Sequence, residues 1–345
     1  MKATYHKYIL NFKRPSGTSR GILKKKETWF IILTDGKKIG IGECGILRGL
    51  SIDDRPDYEE KLQEICFDIH LGLEKLLKIT EEFPSIQFGL EQAFLSLQSK
   101  NSFELFASSF TKGDASIKIN GLIWMGDPDF MKAQIQQKLD EGYDCIKMKI
   151  GAISFEEEIK LLALIRKDFS KDQIEIRVDA NGAFSPQEAM SKLNILAQYD
   201  LHSIEQPIKQ GQLIEMKQLC EMTPLPIALD EELIGIFNVT NKEEILQIVK
   251  PQFIILKPSL VGGFKGTDEW IELAEKYAIK WWITSALESN IGLNAIAQYA
   301  YLKGVTLPQG LGTGSLYTNN FECPLKVSSG YLSYEKDKKW NVNII

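Results

Sequence analysis

The 345-residue chain has no excess of positive charge. Its 41 Lys and Arg stand against 46 Asp and Glu, a formal net charge of -5. No basic field exists to hold nucleic acid or anionic lipid, although single lysines can still meet an anionic small molecule inside an acidic protein. Long apolar runs are also missing. The most apolar stretches, such as Phe253–Leu256, are far too short to cross a bilayer. Residues 1–6 lead into mixed sequence with no apolar stretch and cleavage site, so no secretory leader is expected and a cytoplasmic location is. Cys44, Cys66, Cys145, Cys220 and Cys323 are odd in number and scattered. That argues against a disulfide framework or a zinc site, and leaves each as a small buried hydrophobe in a reducing compartment. Only three histidines occur, His6, His70 and His202.

What is present is an ordinary globular balance, 44% hydrophobic and 25% charged. The length allows one large α/β domain, or two with one dominant. Eight short strand-like runs stand out, at residues 117–122, 145–150, 174–179, 202–205, 226–230, 253–257, 280–284 and 305–308. Their centres recur about every 24 to 29 residues. Helical stripes fill most of the gaps: Ile159, Leu162 and Ile165 in one, and Ala189, Leu193 and Leu196 in another. Strands alternating with helices imply a parallel sheet, and eight such units imply closure into a (β/α) barrel. An open doubly wound sheet is the rival. It usually begins with a Gly-rich strand-to-helix turn, and residues 1–30 show none.

Residues 1–112 fall outside the period. Residues 29–33 and 38–43 read as a hairpin about Asp35-Gly36, and residues 57–70 and 86–97 as helices. An N-terminal α+β domain is therefore expected over 1–112, the barrel over 113–323, and a C-terminal segment over 324–345 that returns to the first domain. Arg14-Pro15-Ser16-Gly17 reads as a mobile turn.

In a barrel of this kind the C-terminal strand ends face the site. Those ends read Lys147-Met148-Lys149, Arg177-Val178-Asp179-Ala180-Asn181, Glu205-Gln206-Pro207, Asp230-Glu231-Glu232, Lys257-Pro258-Ser259 and Ser285-Ala286-Leu287-Glu288. Lys147 and Lys149 are two apart and share a strand face. Asp179, Glu205 and Asp230 come from three adjacent strands and would converge. Three carboxylates so close need a cation, and an all-oxygen set suits a hard ion, Mg²⁺ first and Mn²⁺ as the alternative. Lys257 lies across the barrel from the first lysine pair. Two amines flanking a metal-held carboxylate suggest proton removal at the adjacent carbon, with the positive surroundings freeing one amine as base.

Together these motifs resemble the enolase superfamily and its muconate-lactonising subgroup. Its use of a lysine base with magnesium is itself a general precedent. Within the subgroup the chain resembles the o-succinylbenzoate synthase family in four stretches: Gly42-Glu43-Cys44-Gly45 with Gly49-Leu50-Ser51, the 285–292 loop, the 257–263 loop, and Gly310-Leu311-Gly312-Thr313-Gly314. The resemblance implies a capping domain over 1–112. It also implies magnesium-dependent dehydration of 2-succinyl-6-hydroxy-2,4-cyclohexadiene-1-carboxylate to 2-succinylbenzoate, a step in menaquinone synthesis. The substrate would be a small anionic carboxylate, with Lys149 as base, Lys257 on the opposite face, and Lys147 tuning Lys149. Asn181, Glu231 and Arg177 are expected to brace the carboxylates, with Glu231 pairing with a lysine. Ser285, Gly312, Gly314, Ser16 and Leu47 are expected to contact substrate, with the 14–20 segment acting as a lid.

A dipeptide epimerase or N-succinylamino acid racemase of the same subgroup is the alternative. The epimerases typically hold the substrate ammonium with an Asp-x-Asp pair where this chain has Gly310-Leu311-Gly312. A His–Asp base of the mandelate-racemase kind is not available, because no histidine ends strand six or seven. A barrel retained only as a binding module is the reading from a different class.

Overall fold

A computed structural model describes the backbone of residues 1–18 and 21–344, and their side chains apart from those of residues 16–18. The chain begins with a three-stranded antiparallel sheet, β1 (Lys2–Thr18), β2 (Gly21–Thr34) and β3 (Ile39–Cys44). Lys2 pairs with Thr34 and Thr18 with Gly21, but the register shifts between Asn11 and Ser16. Arg14 and Pro15 therefore sit in a strand irregularity, not in the expected free turn. Proline has no N–H for a ladder, so Pro15 marks a break in pairing and not a chain reversal.

Helices α1 (Tyr58–Phe67), α2 (Leu73–Ile79) and α3 (Pro84–Gln98) cover one face of this sheet. Trp29, Ile31 and Leu33 alternate along β2 and bury against Leu62, Ile65, Leu90 and Ala93. The sheet and α3 approach so closely that only glycine fits. A Cβ on Gly42 would lie 1.9 Å from the Gly89 carbonyl oxygen, and one on Gly89 would lie 2.1 Å from Cys44 Sγ.

The second part is a curled sheet of seven parallel strands: β5 (Gly121–Ile123), β6 (Cys145–Lys149), β7 (Glu175–Asp179), β8 (Ser203–Glu205), β9 (Ile227–Leu229), β10 (Phe253–Leu256) and β11 (Lys280–Ile283), hydrogen-bonded in chain order. Between them run α4 (Pro128–Asp140), α5 (Phe155–Asp168), α6 (Pro186–Leu196), α7 (Leu213–Met222), α8 (Val239–Val249), the single turn α9 (Pro258–Val261) and α10 (Gly263–Lys276). Helix α11 (Asn290–Leu302) follows β11. Several helices begin as local chemistry dictates. Asp127 caps α4, and Ser185 with Glu188 forms a capping box on α6.

The expected eighth strand over 305–308 is not one. Instead Gln309 and Gly310 make single parallel bridges to Ile119 and Thr284, linking both edges of the sheet. Gln309 N–H donates to the Lys118 carbonyl at 2.8 Å and Gly310 N–H to the Ile283 carbonyl at 3.0 Å, and Asn120 and Ser285 donate back to the carbonyls of Gln309 and Gly310; side chains add to this short backbone pairing. Gln309 Oε1 accepts from Ile283 N at 2.7 Å, and Arg177 Nη1 donates to the Pro308 carbonyl at 2.9 Å. Gly310 passes where a Cβ would stand 2.4 Å from Thr284 Oγ1. The expected first strand is also divided. Its beginning, β4 (Ser116–Lys118), leaves the barrel and pairs with β13 (Tyr331–Tyr334), which pairs with β12 (Leu325–Ser328). The chain end thus first joins the barrel's entry strand, while Trp340 stacks on Phe103 at 4.2 Å and Val342 packs near Phe30 of the first sheet. No described helix is long and apolar enough to cross a membrane.

Candidate active site

Parallel register sets the level of the functional side chains. Lys149 pairs with Asp179, and Asp179 with Glu205, across three neighbouring strands. Asp230 and Lys257 come one residue after β9 and β10. Below them on the same faces, by the two-residue period, lie Ala228 and Ile255, which cluster with Phe253 and Trp282. An apolar plug thus closes the barrel beneath a polar layer.

In that layer three ammoniums and three carboxylates interleave. Lys147 Nζ lies 2.9 Å from Asp179 Oδ2 and also pairs with Glu205. Lys149 Nζ donates to Asp179 Oδ2 at 2.9 Å and to Asn181 Oδ1 at 2.7 Å. Lys257 pairs with Asp230 and lies 3.9 Å from Glu205 Oε1. Among the described residues no three Asp, Glu, His or Cys side chains stand as a ready-made metal cluster. Here the ammoniums sit between the acidic oxygens, because buried like charges must be offset.

Electrostatics follow from that interleaving. For Asp179, burial works toward the neutral form, but Lys147, Lys149 and Lys257 outweigh it and hold the carboxyl well below its usual range. Asp230 is lowered likewise, with burial opposed chiefly by Lys257. Glu205 goes the other way. Burial first, then the neighbouring Asp179, push it well above the usual range. Lys147 and Lys257 are held protonated against burial, by Asp179 and by Asp230 foremost.

Asn181 links the layer outward. Its N–H donates to Asp179 Oδ1 at 3.0 Å and its Nδ2 to Glu231 Oε1 at 2.9 Å. Sequence reasoning missed Gln206 as a support. Buried, with φ of 39°, it receives the Asp230 N–H at 3.1 Å and donates to Glu232 Oε2 at 3.1 Å, fixing the turn that carries Asp230. The Glu205-Gln206-Pro207 motif flagged the position but not this role. Arg177 does not brace the carboxylates. It sits one layer lower, donates to Glu175 Oε1 at 2.7 Å and to Pro308, and stacks 4.3 Å over Trp282. The two-residue period put it on the right face but could not show that its long side chain turns away from Asp179.

A cavity of about 520 Å³ opens above the layer. Lys147, Lys149, Asp179, Asn181 and Lys257 form its floor, Ser285, Ala286, Leu287, Gly310, Gly312 and Thr313 one wall, and Lys13, Arg14, Leu47, Arg48 and Leu50 of the first domain its rim. Ser285, Gly312 and Leu47 thus reach the cavity as expected. Gly314 does not. It packs against Asn290, where a Cβ would stand 2.7 Å from Oδ1. The Ser16 side chain lies outside the described residues. Trp124, Phe130 and Tyr143 also line the cavity. Trp124 follows β5, Phe130 lies in the first turn of α4 and Tyr143 follows that helix, and no periodicity in the sequence pointed to them.

Among the described cavity-lining residues, Asp179 is the sole carboxylate, against Lys13, Arg14, Arg48, Lys138, Lys147, Lys149 and Lys257.

A barrel of this topology, with acids and lysines at consecutive strand ends, defines a class, and the family model described as enolase C-terminal domain-like matches residues 130–337. The chain belongs to that family. Within it, the chain is 47% identical to the o-succinylbenzoate synthase of Desulfotalea psychrophila, over 96% of this chain and 98% of that one. The crystal structure of MenC from the same organism superimposes with a TM-score of 0.86 at 44% identity, covering 96% and 99% of the two chains. A dipeptide epimerase from Enterococcus faecalis, complexed with Mg and a Leu-Tyr dipeptide, shares the fold at a TM-score of 0.81. Its identity is 19%, over 96% of each chain.

Proposed function

We propose that this protein is an o-succinylbenzoate synthase, a carbon–oxygen lyase that dehydrates 2-succinyl-6-hydroxy-2,4-cyclohexadiene-1-carboxylate to 2-succinylbenzoate. The observation that carries the reading is the cavity lining: among the described residues its sole carboxylate, Asp179, is already held by Lys147 and Lys149, while Lys13 and Arg14 stand at the rim. Such a lining suits an anionic substrate without an ammonium, because a buried ammonium would need a carboxylate that this wall does not offer.

Asp179, Glu205 and Asp230 would hold Mg²⁺. The donor set is all oxygen, and Glu205 Oε1 is buried and accepts no hydrogen bond, which fits a hard cation. When bound, the ion supplies positive charge beside the substrate carboxylate. The chain's own groups do the proton chemistry. Lys149 takes the proton from the ring carbon bearing the carboxylate. The same nitrogen then returns it to the departing hydroxide, releasing water. Lys257, paired with Asp230, offsets the negative charge of the enediolate from the other side. Lys147 stays protonated and orients Asp179 and Glu205. Asn181 fixes Lys149 Nζ by a 2.7 Å hydrogen bond. Lys13, Arg14 and Arg48 at the rim would meet the succinyl carboxylate.

The test is to assay the purified protein, with Mg²⁺, against the cyclohexadiene acid and against L-Ala-L-Glu. Dehydration of the first is expected. Epimerisation of the second without dehydration of the first would overturn the assignment.

A further inference from the structure

The Gly42-Glu43-Cys44-Gly45 stretch plays no part in the proton chemistry, yet its glutamate is fully buried. Glu43 is the last residue but one of β3, in the first domain, and reaches to the barrel's α11. Its Oε1 accepts from Thr28 Oγ1 at 2.9 Å and from Ser289 N at 2.9 Å. Its Oε2 accepts from Ser289 Oγ at 2.5 Å and from Gly292 N at 2.8 Å. Three of these four donors belong to the N-cap (Ser289) and first turn (Gly292) of α11, where free N–H groups and the helix dipole favour a negative charge.

That turn is continuous with the cavity wall. Glu288 accepts from Ala286 N at 2.7 Å and from Ser259 Oγ at 2.5 Å, tying the loop after β11 to the turn that carries Lys257. Leu287, which lines the cavity, has a φ of 63°, left-handed and unfavourable for leucine. Its carbonyl is held by Tyr317 Oη at 2.7 Å. Lys26, also from the first domain, has its Nζ buried beside Glu43 and Glu288 with no hydrogen-bond partner. A strained loop of this kind persists only where its surroundings over-determine it.

We infer that Glu43 is a positioning residue for the cavity wall formed by Ser285, Ala286 and Leu287, an inference that rests on the proposed reading of the cavity as the substrate site. The first domain therefore does more than cover the barrel. It inserts a carboxylate that sets the loop against which substrate lies. A second glutamate, Glu91, makes a comparable insertion at the start of α10, accepting from Phe264 N and from Lys265 N at 3.0 Å. Neither Glu91 nor those partners line the cavity, so Glu91 docks the domain without shaping the wall.

Glu43→Gln and Glu91→Gln separate the two roles. An amide at position 43 must turn its NH₂ toward at least one N–H or O–H donor, whichever way it is placed. Amide hydrogen exchange is followed in the peptide over 284–292 and in β9, together with KM and kcat for the cyclohexadiene acid and Mg²⁺ affinity. Glu43→Gln is expected to speed exchange over 284–292 but not in β9. It should raise KM by about tenfold, the loss of one hydrogen bond to a charged acceptor, with Mg²⁺ affinity unchanged. Glu91→Gln is expected to alter exchange over 263–266 and leave KM as it is. Thr28→Val, which removes only the hydroxyl holding Glu43, should give a smaller shift in the same direction and serves if Glu43→Gln does not fold. Unchanged exchange over 284–292 overturns the inference, as does an unchanged KM or an equal KM rise in Glu91→Gln. If the wild-type protein fails to dehydrate the acid, the proposed function falls, while the exchange comparison still decides the role of Glu43.

Discussion

Glu91 makes the stability of this protein depend on pH in a way that one substitution isolates. The side chain projects from α3 into the start of α10 and is buried. Burial is the largest influence on it and pushes its carboxyl from an ordinary 4.5 up to about 7, against the two backbone N–H groups that favour the charged form. The folded state therefore keeps a proton that the unfolded chain releases. Between pH 4.5 and about 7 the unfolded state deprotonates first, so this group's contribution is fully present below 4.5 and is lost as pH rises through 7. At about 1.36 kcal/mol per pH unit the interval corresponds to roughly 3 kcal/mol. The amide introduced by Glu91→Gln does not titrate; its NH₂ must face the N–H of Phe264 or of Lys265, a cost that is the same at every pH and so drops out of the pH dependence. Urea midpoints of wild type and Glu91→Gln are measured from pH 4 to pH 8 at fixed Mg²⁺, and the difference is taken at each pH so that the carboxylates at the barrel mouth cancel. The variant should gain on the wild type by roughly 3 kcal/mol across that range. A difference that stays flat would refute the reasoning, because it would mean that Glu91 ionises at the same pH folded and unfolded.

Lys149→Ala should lower turnover by at least about 10²-fold through loss of the base, while Mg²⁺ and product still bind in titration calorimetry. Retained turnover would remove Lys149 from that role. Asp230→Asn should weaken Mg²⁺ binding by at least about tenfold, since even residues behind metal ligands cost that much. An unchanged metal dependence of the rate would move the ligand elsewhere. Gly42→Ala forces a Cβ to within 1.9 Å of the Gly89 carbonyl. It should destabilise the first domain by about 1–3 kcal/mol or more, and a melting temperature equal to the wild type would show that β3 and α3 can separate freely.

How much of this was legible beforehand divides by distance along the chain. Strand period and the chemistry of the strand ends are local, and they located Lys147, Lys149, Asp179, Glu205, Asp230 and Lys257. Parallel register then brings these six together without further information, since neighbouring strands end at one level. The eighth strand misled because Val305-Thr306-Leu307-Pro308 has strand composition, yet the backbone pairing that closes the sheet falls on Gln309 and Gly310, just beyond the run, with the side chains of Gln309 and Arg177 adding to it. Pro15 misled for the related reason that a residue without an N–H signals interrupted pairing equally in a turn and in a strand.

What no pattern announced is the contact between the two parts. Glu43 sits in a short strand on the face it shares with Ile39 and Ile41, of which Ile39 is exposed, and Glu91 in a helix whose neighbours are nearly all buried. A glutamate in either place reads as a solvent-facing residue. Only the meeting of β3 with α11, some 250 positions later in the chain, turns the first into a cap for a helix it does not belong to. That contact needs close approach, and the glycines supply it. A Cβ on Gly292 would stand 2.8 Å from Glu43 Oε2, and one on Gly263 would stand 2.1 Å from Glu91 Oε2. Each inserted carboxylate therefore faces a residue without a side chain. The fit of the first domain on the barrel is specified by these two pairs, a carboxyl group against a helix end and glycine beneath it, as much as by apolar burial.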